Sequence, residues 1–360
     1  MANPVRTDLG ELEIDELERV VADLGAEPFH ARQIFGWIHR RGVTAFEAMT
    51  DLSRPLRRRL ADTAVVGTPE VVGRDVSVDG TTKYLLALAD GARIEAVFIP
   101  DTPAQTFCLS TQVGCAMRCA FCLTGRMGFR RNLTAGEIVG QVRVLARDQG
   151  LLEAPFNVVL MGMGEPLHNY DATMKALRIL ASRAGLGVPA RRMTLSTVGV
   201  LPGLERLAAE PLMPNLAVSL HATTDELRDR LVPVNRKYAL ADLVEACRRF
   251  PLRRRARITF EYVLLDGIND TPEDARRLVR LLGGLRAKVN LLPLNEAPAI
   301  PFARPSDERV NRFAKLLADR GLTVSVRKSR GRDIRAACGQ LIVEGVERSP
   351  AQRLAALLDR

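Results

Sequence analysis

The spacing of apolar residues divides the chain into three kinds of pattern. In the first, over residues 1–62, they recur at helical intervals. Leu12, Ile14, Leu17, Val20, Val21 and Leu24 fall close to one face of a 3.6-residue repeat. Ile34, Phe35, Trp37 and Ile38 make a second such face that stops at Gly42, and a third helix is predicted over 53–61. The pattern then turns to strands over 71–78, 83–89 and 94–99, separated by Asp79-Gly80 and Asp90-Gly91. Asp-Gly pairs supply the backbone that tight hairpins need.

From about residue 105 short apolar runs alternate with helix-like segments. Strands are predicted at 106–110, 157–161, 193–196, 216–219, 258–263 and 289–293, and helices lie between them, as at 135–146 and 272–282. This alternation predicts an α/β fold, a parallel sheet covered by helices. Runs of Val, Leu and Ile without polar alternation predict burial on both faces. About six units leave an open doubly wound sheet or a partial barrel, and no Gly-x-Gly-x-x-Gly follows the first strand. What favours the barrel is where the unusual residues fall. A cysteine loop follows the first strand, Gly164-Glu165-Pro166 the second, Ser196-Thr197 the third, Ser219-Leu220-His221 the fourth and Asn295 the sixth. Each alone has an ordinary use as turn, cap or satisfied polar residue. Barrel enzymes build their sites from the carboxyl ends of strands, so the set together predicts one functional rim. The division expected is a helical domain over 1–62, a β-hairpin-rich connector over 63–100, the barrel over 101–340 and a C-terminal helix over 341–360.

Composition adds two constraints. At 47% hydrophobic and 26% charged, the chain has ample core material. No apolar run approaches membrane-spanning or signal-peptide length, which predicts a cytoplasmic protein without membrane partners. The net charge is +10, from 52 Lys and Arg against 42 Asp and Glu, with Arg clusters at 57–59, 191–192, 248–249 and 253–255. Such an excess attracts a polyanion such as RNA, although an Arg-rich composition alone would give the same solvated faces.

Six cysteines in a reducing compartment point to metal or catalysis rather than disulfides. Cys115, Cys119 and Cys122 are spaced by four and then three, with Phe121 before the last. Three thiolates on one loop suit an iron–sulfur cube whose fourth iron stays open. Against this stand a zinc knuckle or three unlinked thiols. Structural zinc wants four ligands, and the next histidine is the distant His168. Cys247 falls at an apolar phase of the helical pattern 240–250 and reads as core. Cys108 lies on the first barrel strand and Cys338 in the glycine-flanked stretch 331–341; on spacing alone either could be inert.

Longer runs carry a specific resemblance. They include Phe29-His30-Ala31-Arg32-Gln33-Ile34-Phe35-Gly36-Trp37, Ile94-Glu95-Ala96-Val97-Phe98-Ile99-Pro100 and Arg131-Asn132-Leu133-Thr134-Ala135-Gly136-Glu137. Met161-Gly162-Met163-Gly164-Glu165-Pro166-Leu167, Leu195-Ser196-Thr197-Val198-Gly199, Ser219-Leu220-His221-Ala222 and Ala336-Ala337-Cys338-Gly339-Gln340 follow in order. With the Cys-x3-Cys-x2-Cys motif, they make the chain resemble the RlmN/Cfr family of radical SAM RNA methyltransferases over nearly its whole length, and more closely the RlmN branch. The resemblance implies a partial (β/α)6 barrel with an N-terminal RNA-recognition domain. It implies one 4Fe–4S cluster on Cys115, Cys119 and Cys122, and S-adenosylmethionine, two per turnover, at Gly164, Glu165, Ser196, Ser219, Leu220, His221 and Asn295. Cys338 would carry a methyl group, Cys108 would resolve the adduct, and Glu95 would accept a proton. The implied reaction is methylation of adenine carbon 2 in 23S rRNA (adenine 2503, peptidyl-transferase region) and at adenine 37 in the tRNA anticodon stem-loop, with a low-potential electron donor. Carbon 8 of the same rRNA adenine, the Cfr-type outcome, and a non-catalytic, metal-stabilised RNA-binding protein are the alternatives. One departure is Arg335, where relatives often have an acidic residue.

Overall fold

The structure, a computed structural model, describes residues 6–100, 104–297 and 299–343. The N-terminal part runs β1 (Thr7–Asp8), α1 (Ile14–Asp23), α2 (Phe29–Phe35), α3 (Arg54–Thr63) and β2 (Ala64–Val65). α1 begins in a capping box, with the Glu13 N–H donating to Glu16 Oε2 at 2.8 Å, and the Ser53 hydroxyl caps α3. Leu17, Val21, Ile34, Phe35, Ile38, Leu56 and Leu60 are buried, which is the face the helical spacing predicts. β1 pairs in parallel with β2, so the two ends of this part are tied together.

Next come β3 (Glu70–Val76), β4 (Thr82–Ala87) and β5 (Arg93–Ile99), antiparallel, with Gly80 and Gly91 at φ 80° and 78° in the turns. In each turn the aspartate closes a short ring, Asp79 accepting from the Thr81 N–H and Asp90 from the Ala92 N–H, both at 2.9 Å. The remaining elements are β6 (Thr106–Cys108), β7 (Gln112–Gly114), α4 (Leu123–Met127), β8 (Phe129–Asn132), α5 (Ala135–Asp148), β9 (Asn157–Leu160), α6 (Tyr170–Ala181), β10 (Met193–Thr197) and α7 (Leu201–Ala208). They continue with β11 (Asn215–Ser219), α8 (Asp225–Leu231), α9 (Leu240–Arg249), β12 (Ile258–Leu264), α10 (Pro272–Leu281), β13 (Ala287–Pro293), α11 (Asp307–Ala318) and β14 (Thr323–Val326).

Among the described residues one sheet has the order β14-β13-β12-β11-β10-β9-β6-β5-β4-β3. The run from β6 to β14 is parallel, and the hairpins extend it antiparallel from β6. This is the parallel sheet with covering helices that the alternation of strands and helices predicts. It has seven parallel strands where the apolar runs predict six. The addition, β14, is a short, mostly exposed edge strand whose Thr-Val-Ser-Val sequence lacks the continuous apolar run of a buried strand.

Helix α5 fixes the N-terminal part against the barrel. A Cβ on Gly140 would lie 2.6 Å from Pro69, so only glycine permits that approach. Arg143, fully within the contact, donates to the carbonyls of Gly10 and Gly67. Leu341–Val343, where a C-terminal helix is expected to start, form no helix, and residues 344–360 of that segment lie outside the described residues.

Candidate active site

The strand ends converge on a cleft of about 990 Å³ at the carboxyl edge of the parallel sheet. Cys115, Cys119 and Cys122 line it together with Gly164, Glu165, Ser196, Ser219, His221 and Asn295. Leu220 is fully buried and lies outside the lining; its peptide, not its side chain, shapes the rim.

The cysteine loop is braced on both flanks. β7 and β8 form an antiparallel ribbon around it, the Cys115 N–H donates to the Gly128 carbonyl at 3.0 Å, and the Ala120 N–H reaches Leu231 at 2.9 Å. Burial pushes the Cys115 thiol up to about 12 and raises Cys119 and Cys122. Thiols so placed stay protonated until a cation binds them, as a metal deprotonates its thiol ligands. Among the described residues no three His, Cys, Asp or Glu side chains are grouped to hold a single ion. A cube differs from a single ion in giving each thiolate its own iron, and three thiols lining one cavity suit it. Asn295 adds a buried Oδ1 with no hydrogen-bond partner at the same cleft, an acceptor suited to a polar ligand.

The rim is built by side chains that bond peptides of neighbouring strands. The Glu165 carboxylate accepts from the Leu167 and Val198 N–H groups, both at 2.9 Å, while the Glu165 N–H donates to Gln112 Oε1 at 2.9 Å. Burial raises the Glu165 carboxyl to about 7 against those donors. Gly164 sits at φ 107°, and a Cβ there would lie 2.7 Å from Gln112, so the turn admits no side chain. His221 is in left-handed backbone, φ 62°, with its ring edge-on to Phe121. Its Nδ1 accepts from the Val263 N–H at 3.0 Å, which requires a neutral ring, and burial followed by nearby Arg228 lowers its pKa to about 3.

A smaller cavity of about 480 Å³ shares Asn295, Arg327 and Cys338 with the cleft and adds Cys108. Cys338 therefore lines both cavities, one together with Cys115, Cys119 and Cys122 and the other together with Cys108. Burial and then the neighbouring Cys338 push the Cys108 thiol up to about 12. The segment bearing Cys338 is docked at several points. The Leu123 N–H donates to the Gly339 carbonyl at 2.8 Å and the Thr124 hydroxyl to that of Leu341 at 2.7 Å. From the β3–β4 turn, the Ser77 hydroxyl donates to Asp333 at 2.6 Å, and Asp79 accepts from the Gly331 N–H at 3.1 Å. Arg335, in the same segment, has φ 54°.

Glu95 lines neither cavity. It lies on β5, buried, paired with Lys83 at 3.2 Å and accepting from the Ile342 N–H at 2.8 Å. Burial raises its pKa against these partners. Cys247 is core, as its phase predicts.

Two charged residues lining the cleft and one buried behind its rim escape sequence reasoning. Glu261 lines it from within β12, where a lone carboxylate in an apolar strand was the available signal. Arg327, just past β14, faces Cys338, Cys108 and Glu261 and is held more firmly protonated chiefly by Cys338. Arg228 on α8 is fully buried; in so Arg-rich a chain nothing in its sequence context marks it.

Comparison with known proteins agrees with this geometry. The radical SAM superfamily model matches residues 109–282, and the ribosomal RNA large subunit methyltransferase N-terminal domain matches 7–66. The chain is 52% identical over 334 residues to the dual-specificity RNA methyltransferase RlmN of Geobacter sulfurreducens, covering 93% of this chain and 91% of that protein. It is 49% identical over 357 residues to RlmN of Anaeromyxobacter dehalogenans, covering 98% and 96%. A crystal structure of a radical SAM methyltransferase from Sphaerobacter thermophilus superposes with a TM-score of 0.89 at 48% identity, over 93% of this chain and 99% of that one. This chain belongs to the RlmN family of dual-specificity radical SAM RNA methyltransferases.

Proposed function

We propose that the protein methylates carbon 2 of adenine in the peptidyl-transferase region of 23S rRNA and at position 37 of tRNA, through a methyl group carried on Cys338. The observation that carries this reading is the place of Cys338 between two cavities, one lined by the cluster cysteines and the other by Cys108. Cys115, Cys119 and Cys122 hold the 4Fe–4S cluster, and the rim from Gly164 to Asn295 holds S-adenosylmethionine. When bound, these groups supply a one-electron cleavage able to take a hydrogen atom from an S-methyl group.

The chain's own residues do the rest. The Cys338 thiolate takes a methyl group from a first S-adenosylmethionine by displacement at the methyl carbon. A second S-adenosylmethionine is then needed to activate that methyl group for attachment to the ring, because carbon 2 of adenine is too weak a nucleophile for direct displacement. Glu95, buried beside Ile342 and lining neither cavity, takes the ring proton through a bridging water rather than by direct contact; burial raises its pKa, which suits a proton acceptor. Cys108 attacks the sulfur of Cys338 and breaks its bond to the methylene carbon, which keeps the electron pair and takes up a proton to become the product methyl group; the Cys108–Cys338 disulfide is reopened by a thiol reductant before the next turnover. Residues 1–62 and the arginine clusters contact the RNA, the base is drawn out of its stack to reach the cleft, and a low-potential cytoplasmic donor supplies electrons. Among the described residues no helix is long and apolar enough to cross a membrane.

The test is anaerobic turnover of two variants with labelled S-adenosylmethionine and an rRNA fragment. Cys108→Ala is expected to take up label and accumulate a nuclease-sensitive covalent protein–RNA band on a denaturing gel. Cys338→Ala is expected to take up no label and form no band. Normal turnover by Cys108→Ala overturns the two-cysteine route, and mass spectrometry of the product against carbon-2 and carbon-8 standards checks the position.

A further inference from the structure

Arg228 is a buried cation with no carboxylate directly against it among the described residues. Its Nε donates to the Leu220 carbonyl at 3.0 Å, and Nη2 donates to the carbonyls of Val198 at 2.7 Å and Ser219 at 3.2 Å. Nη1 donates to Asn235 Oδ1 at 3.0 Å, and the Asn235 amide in turn donates to Asp225 and Asp229 at 2.8 and 2.7 Å. The acidic side chains are thus reached only through an intervening amide. Burial lowers the guanidinium to about 10, so it stays charged at neutral pH.

Its bonds lie where the site is assembled. The Val198 peptide is held from both sides, its carbonyl by Arg228 and its N–H by Glu165 Oε2. The guanidinium thereby joins the ends of β10 and β11, which carry Ser196 and Ser219, and Glu165, from the loop after β9, bonds the same residue, Val198. The same turn of α8 supports the cysteine loop: the Val232 N–H donates to the Arg228 carbonyl at 2.7 Å, and the neighbouring Leu231 carbonyl accepts from Ala120. Cys119 packs with Leu231 and Val232 in one apolar cluster. The guanidinium therefore lies on the Cys119 side of the cleft.

We propose that Arg228 is a positioning residue that ties the S-adenosylmethionine rim together, and that its charge raises the reduction potential of the cluster held at Cys119. The proposal rests on the cluster assignment above. A cluster on three thiolates gains negative charge on reduction, and cluster potentials respond to net charge and burial. A buried cation beside it favours the reduced form, because little water screens the interaction. A planar fork bonding three carbonyls is a task that a lysine ammonium does not reproduce.

The test uses anaerobically reconstituted full-length parent, Arg228→Met and Arg228→Lys. Iron content and thermal unfolding report integrity, electron paramagnetic resonance-monitored titration gives the cluster midpoint, and the spectral change on adding S-adenosylmethionine gives its affinity. Arg228→Met is expected to keep iron, shift the midpoint to lower potential and bind S-adenosylmethionine about tenfold more weakly, because the rim carbonyls lose the donor that fixes them. Arg228→Lys is expected to keep the parent's midpoint while also binding more weakly. A midpoint and affinity unchanged in Arg228→Met overturn the proposal. If that variant does not retain iron, Arg228→Lys decides, and parental affinity there overturns the positioning role. A parent without any cluster signal would instead remove the cluster assignment and the proposal with it.

Discussion

The barrel rim and the contact between the N-terminal part and the barrel are both rich in polar groups, but they use them differently. At the rim, buried side chains bond peptides of other strands: Gln112 and Glu165, Arg228 and its three carbonyls, His221 and Val263. Each group there is desolvated, so losing a partner leaves a buried donor or acceptor unpaired. At the N-terminal contact, Lys175 pairs with Glu16 and Arg178 with Glu13, both at 2.8 Å, with every side chain 23 to 37% exposed. Water can replace either partner. The first region sets positions within fractions of an ångström, and the second mainly holds two bodies together over buried apolar faces.

The largest effect should come from the cluster cysteines. Replacing Cys115, Cys119 or Cys122 with Ala is expected to strip iron and visible absorbance and to abolish cleavage of S-adenosylmethionine. Cys247→Ala, in the core, is expected to retain iron. Iron analysis of the anaerobic proteins checks this, and full iron in any of the first three breaks the cluster assignment.

A smaller effect tests the rim through pH. His221 has a folded pKa of about 3 against 6.5. A depressed folded value means stability fully present above pH 6.5 and lost as pH falls toward 3, because the unfolded chain takes the proton first. This is worth about 5 kcal/mol over that range. His221→Asn retains an acceptor and tolerates left-handed backbone, so its denaturant midpoint should fall less between pH 7 and pH 4 than the parent's. Parallel curves would show that His221 is not held neutral.

The smallest effect belongs to the N-terminal contact. Lys175→Ala and Arg178→Ala are each expected to cost less than about 1 kcal/mol in urea unfolding, as partly exposed pairs do. A loss of several kcal/mol would erase the contrast drawn between the two regions.

Much was legible before the fold was known, for identifiable reasons. The runs of β11 and β12 are largely buried on both faces, and β9 and β10 bury every second residue with the others half-buried, so their composition marks all four. Gly164, Ser196, Ser219 and Asn295 stand at strand ends, where position relative to the run predicts the rim they share. By contrast, β14 is a polar edge strand, and the β7–β8 ribbon exists through pairing across the cysteine loop. Neither has a local periodicity to read. Arg228, fully buried, and Arg327, half-buried, look like surface arginines because burial is a property of the neighbours, not of the residue.

The sequence by itself determined the alternation of strands and helices, the hairpin turns and the three-cysteine loop, since each depends on residues close together in the chain. Only the tertiary structure decided which thiol Cys338 meets, that Glu95 lies outside both cavities against Lys83 and Ile342, and that a hairpin turn at Ser77 and Asp79 holds the Cys338 segment. Those contacts join residues about 250 positions apart, as Ser77 with Asp333 and Glu95 with Ile342. No local pattern encodes such pairings; they follow from the course of the chain after β14, which leaves one edge of the sheet and packs against the β3–β4 turn and β5.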